Sequence, residues 1–100
     1  MRNTKQSANG TSFHGDTVRA TANQLIAICG EPEYRGDSSD KSQYDWVMET
    51  EFGQVFTIYD WKEYRNFGTD EVLEWHVGAQ DSHTAGVGAT ELYSAVEELN

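Results

Sequence analysis

Cysteine occurs once in this chain and proline once, and after Arg65 there is neither Lys nor Arg. Each scarcity excludes something. The lone Cys29 rules out a disulfide framework within the chain. A zinc site calls for spacings such as Cys-x-x-Cys or His-x-x-x-His, and Cys29, His14, His76 and His83 show neither. No hydrophobic run approaches the length that spans a bilayer. The stretch from Met1 to Gln6 is polar where a secretory leader would be apolar, so the expected location is cytoplasmic. A Gly-x-Ser-x-Gly elbow is absent, and the pair Gly86 and Gly88 lacks the rest of a phosphate loop. No catalytic residue, metal or cofactor is expected.

What the chain does have is negative charge: 17 Asp and Glu against 7 Lys and Arg, a net charge of −10. The excess falls late, because Asp70, Glu71, Glu74, Asp81, Glu91, Glu97 and Glu98 all follow the last cation. Such a field repels nucleic acid and anionic membranes and attracts basic proteins. Carboxylates at alternate strand positions stand in rows, and such rows can complement the Lys and Arg channels that otherwise hold phosphate. Asp45, Glu49, Glu51, Asp70, Glu71 and Glu74 are the candidate protein-binding residues on this reading. An acidic surface also serves solubility alone, and composition does not separate the two.

A chain of 100 residues suits one domain. Residues 1–10 are polar and expected to be flexible, with a single α+β domain over 11–100. An extended pattern from Ser12 to Thr21 leads into a helix. Thr21 and Gln24 have capping-box spacing, Ala22, Leu25, Ile26 and Cys29 repeat helically, and Gly30 with Pro32 stops the run. Residues 33–43 read as a polar loop. Tyr44, Trp46, Met48, Thr50 and Phe52 then alternate on one strand face, Gly53 turns the chain, and Val55 to Trp61 form a second strand. A third strand covers Val72 to Val77 and is expected to end at Gly78. Asp81-Ser82-His83-Thr84 offers an opening for a last helix that is secure from Thr90, with Leu92, Tyr93, Val96 and Leu99 as its apolar stripe. The order β-α-β-β-β-α implies a three- to four-stranded, mostly antiparallel sheet with two helices on one face.

Aromatic residues crowd between Tyr44 and Trp75, and two short helices cannot bury both faces of a small sheet. Core packing accounts for most of them. Any left exposed beside Arg19, Lys62 or Arg65 offer a second function: Tyr59, Trp61 or Trp75 stacking a base while a cation meets phosphate. An oligomer would build such a pocket at subunit interfaces. A third arrangement, Glu74 and His76 two apart on one strand face as an acid–base pair, lacks further partners.

The segments Gly10-Thr11-Ser12-Phe13-His14-Gly15, Gly30-Glu31-Pro32, Asp45-Trp46, Thr57-Ile58-Tyr59-Asp60-Trp61-Lys62 and Trp75-His76-Val77-Gly78 resemble small uncharacterised accessory proteins of tailed bacteriophages. The resemblance spans most of residues 10–99, and the Gly-rich Ala85-Gly86-Val87-Gly88 entry to the last helix departs from it. It brings no catalytic residues. It implies a context of counter-defence: an anti-CRISPR or anti-nuclease inhibitor that acts as a DNA mimic, its partner a basic host effector or nuclease rather than nucleic acid or membrane. The alternative it implies is a sponge for a small nucleotide signal.

Overall fold

A computed structural model describes residues 1–32, 34–35, 44–60 and 68–99. Its elements are β1 (Arg2–Asn3), β2 (Ser12–Thr21), α1 (Ala22–Cys29), β3 (Tyr34–Arg35), β4 (Tyr44–Glu49), β5 (Val55–Tyr59), β6 (Val72–Ala79) and α2 (Ser82–Leu99). Local chemistry sets several of these bounds. Thr21 Oγ1 accepts the Gln24 N–H at 3.0 Å while Gln24 Oε1 accepts the Thr21 N–H at 2.8 Å, so α1 starts with a complete capping box. Gly30 closes it at φ +84°, a conformation that favours glycine, with its N–H on the Ile26 carbonyl. Asp81 caps α2 by accepting the Thr84 N–H at 2.7 Å, and that bond holds its carboxyl below the usual range.

The fold is α+β. The strands pair antiparallel in the order β1-β4-β5-β6-β2, and β3 also pairs with β4, at the end opposite to β1. Register aligns Trp46 with Ile58 and Val77, and Met48 with Phe56 and Ala79. These side chains, with Val18, Ala20, Leu73 and Trp75, make one buried face. Both helices cover it: α2 crosses β2, β5 and β6, and α1 packs on α2 and β2. Leu25 and Cys29 from α1 and Ala85, Leu92 and Val96 from α2 complete the core. Asp45, Val47, Glu49, Tyr59, Glu74 and His76 alternate onto the opposite face, away from the helices.

Several expectations need correction. The sheet has more strands than the three or four expected, because β1 and β3 are two-residue pieces too short to show an alternating pattern. The N-terminal segment pairs with β4 through β1. Thr4 donates to the Val47 carbonyl, and Arg2 and Gln6 both reach Glu49, at 2.8 and 3.0 Å. β4 ends at Glu49 rather than Phe52, whose side chain stands 73% exposed in the turn. β6 does not stop at Gly78. A Cβ there would lie 2.7 Å from Thr57 Oγ1, so glycine lets β5 and β6 close up and the pairing runs on to Ala79. Helix α2 takes the earlier of its two openings, at Ser82, and Tyr93 and Leu99 are exposed rather than part of its buried stripe.

Candidate functional site

The six carboxylates expected in rows are dispersed. Asp45, Glu49 and Glu74 share the face away from the helices, Glu51 lies in the β4–β5 turn, and Asp70 and Glu71 precede β6 at the other end of the sheet. Glu49 is committed to Arg2 and Gln6, so it is a structural anchor for the N-terminal segment rather than a displayed charge. Asp45 is half-buried, and its charge adds to the burial that raises the Tyr59 hydroxyl pKa. Glu51, Asp70 and Glu74 are exposed, Glu74 directly opposite Arg19 in the β2–β6 register.

The ligand-stacking set fares differently. Trp75 is 0% exposed, with its Nε1–H on the Ala20 carbonyl at 2.9 Å and its ring edge-on to Trp46 and Tyr44. It is a core residue and has no face left for a base. Trp61, Lys62 and Arg65 lie outside the described residues. Tyr59 and Arg19 do share the helix-free face, where Phe13 stacks flat on His76 at 4.0 Å and Tyr59 meets the same imidazole edge-on. Burial lowers the His76 pKa against the opposing pull of Glu74. This places the Glu74–His76 pair in an aromatic cluster with a preference for neutral imidazole. Neither Tyr59 nor Arg19 lines any of the grooves described below.

Cys29 is not a nucleophile. It is 2% exposed, and burial pushes its thiol up to about 12. The unfolded chain ionises near the ordinary value of 9.0. Between those values the unfolded state has lost a proton that the folded state keeps, so stability is full below pH 9 and declines as pH rises towards 12. Chemical denaturation across that range is expected to show the decline, and Cys29→Ala to make it shallower, the raised Tyr59 hydroxyl supplying a decline of the same sign. Alkylation of the folded protein should proceed only as fast as it opens. Labelling at the rate seen in denaturant would contradict the burial.

Among the described residues no cluster of three or more His, Cys, Asp and Glu could hold a metal ion, and no described helix is long and apolar enough to cross a membrane. What the described surface offers is a groove on the outer side of α2. One hollow of about 510 Å³ is bounded by Glu51 and Phe52 of the β4–β5 turn and by His83, Gly86, Val87, Thr90 and Glu91 of α2. A second, of about 380 Å³, continues it past Ser94, Ala95 and Glu98 to Met1 and Ile28. Glu91 ties the two walls together: its Oε2 accepts the Glu51 N–H at 3.2 Å, and its Oε1 lies 3.1 Å from the Met1 nitrogen.

Sequence reasoning missed this groove because Phe52 read as a strand residue and the stretch from Asp81 to Ala89 was only an open alternative for the last helix. The spacing of Gly86, Thr90 and Ser94, four apart on a helix that carries only acidic charge, was the available signal. No family model, curated protein or solved structure matches the chain.

Proposed function

We propose that this chain is a non-enzymatic binding protein that occupies a basic surface of a partner, one that otherwise holds nucleic acid. The observation that carries the reading is the charge of the groove. Helix α2 lines it with Glu91 and Glu98, carries Glu97 beside it and has not one Lys or Arg, and Glu51 stands on the other wall next to the apolar Phe52 and Val87. A surface with that character suits a cationic partner, and apolar contact beside the charge supplies affinity that charge alone does not. The phage resemblance gives the reading a context, inhibition of a host nuclease or CRISPR effector. The nucleotide-sponge alternative loses Trp75 to the core and is not favoured.

The test begins with the proteins this chain retains from a bacterial host lysate at low salt. Each is then purified and titrated with the wild type and with a variant carrying Glu51→Gln, Glu97→Gln and Glu98→Gln. Removing three exposed charges should weaken binding at least about tenfold at low salt and flatten its salt dependence. Equal affinity and an equal salt slope for the two proteins would overturn the assignment of the acidic surface.

A further inference from the structure

We infer that the groove along α2 takes a basic amphipathic α-helix of the partner, with an apolar anchor seated against Phe52 and Val87 and flanking Lys or Arg side chains meeting Glu51 and Glu98. The inference rests on the reading just proposed and names the shape of what is bound.

Shape argues first. The two hollows share Glu51, Thr90 and Glu91, so they form one continuous channel beside the helix. From His83 to Glu98 that channel runs about 22 Å, room for about four turns of a second helix. Its floor is low. A Cβ placed on Gly86 would meet nothing within 4 Å, and Thr90 and Ser94 follow on the same side, so another helix can approach the α2 backbone closely. Phe52, 73% exposed in the turn, is a large apolar wall that the fold itself leaves uncovered. An extended strand would gain little here, because the channel floor is helix and offers no sheet edge to extend.

Charge then selects the occupant. A second copy of this chain would bring a net charge of −10 against −10, and its own α2 would set glutamates against glutamates. A helix with Leu or Phe at positions i, i+3 or i+4, and i+7, flanked by Lys and Arg, matches both the floor and the rim. Recognition of this kind is specific in a way that bare attraction to an acidic protein is not, since the cations and the apolar anchors must lie on related faces.

The experiment uses three synthetic peptides of 18 or so residues. One is a Leu/Lys amphipathic helix, one has the same composition scrambled to destroy the apolar face, and one replaces Lys with Glu. Binding is read by titration calorimetry and by amide shifts of the full chain. The amphipathic basic peptide should bind at least about tenfold more tightly than either control, with shifts confined to α2, 51–53 and the channel's far end around Met1 and Ile28. Gly86→Leu, which projects into the channel, and Phe52→Ala, which removes the wall, should each weaken it by a similar factor while leaving the circular dichroism spectrum unchanged. Equal binding of the scrambled peptide, or shifts centred on the sheet face, would overturn the helix assignment. So would self-association of the free chain that Gly86→Leu abolishes, which would make a second copy the occupant. If no peptide binds but a captured partner still competes with DNA, the helix inference falls and the proposed function stands. If that competition also fails, both fall.

Discussion

Trp75→Ala is expected to lower the unfolding free energy by about 3–5 kcal/mol, the range for removing a large buried aromatic. Single domains are stable by only about 5–15 kcal/mol, so this one change should remove a large fraction of the total stability. The ring is fully buried on β6, where Val18 of β2 is its register partner. It stands edge-on to Trp46, centroids 5.6 Å apart, and to Tyr44 at 6.2 Å. Its loss also leaves the Ala20 carbonyl without the indole N–H that reaches it at 2.9 Å. Trp75→Phe keeps much of the volume and loses the hydrogen bond, so it should fall between wild type and alanine. Urea denaturation checks the series. A midpoint shift equivalent to less than about 1 kcal/mol for Trp75→Ala would contradict this packing.

Two glycines of α2, one residue apart from being neighbours, should respond in opposite directions to the same substitution. At Gly88 an added Cβ would stand 2.6, 2.8 and 2.9 Å from three ring atoms of Phe56. That ring is fully buried on β5 and has no space to swing into, so α2 must lift from the sheet. Gly88→Ala is expected to cost about 1–3 kcal/mol of overpacking, only partly offset by the improved helix propensity. At Gly86 the same methyl meets open space, and Gly86→Ala should stabilise by about 0.5–1 kcal/mol. Thermal denaturation of the pair reads the difference directly. Two variants that move the same way would mean that α2 does not sit on Phe56 as described.

The parts of the fold legible in the sequence are those where a local rule and tertiary packing agree. Thr21, Gln24 and Gly30 mark α1 because capping is a short-range matter that needs no partner beyond the helix itself. Trp46, Met48, Leu73, Trp75 and Val77 alternate because one face of the sheet is covered. The illegible parts depend on distant contacts. Arg2–Asn3 becomes a strand because β4 offers an edge and Glu49 a partner, and nothing in the five polar residues after Met1 announces either. Ala85-Gly86-Val87-Gly88 looks like a poor helix until Phe56 is seen to require Gly88. Glu49 shows the same limit for the candidate site. As a carboxylate in a strand it resembled Glu51 and Glu74, yet two N-terminal side chains occupy it. Site geometry was legible only as sign of charge. Its location on α2 depended on Phe52 leaving the strand and on the helix beginning at Ser82.

The central claim is that this chain and nucleic acid compete for one basic surface, and a single competition titration tests it most directly. A partner retained from host lysate would be saturated with a fluorescent duplex, and the full chain added while anisotropy is followed. Displacement of the duplex to completion, at chain concentrations matching the directly measured affinity and with a midpoint that rises with the duplex concentration, is the expected result. A duplex that stays bound while the chain binds beside it would contradict the account.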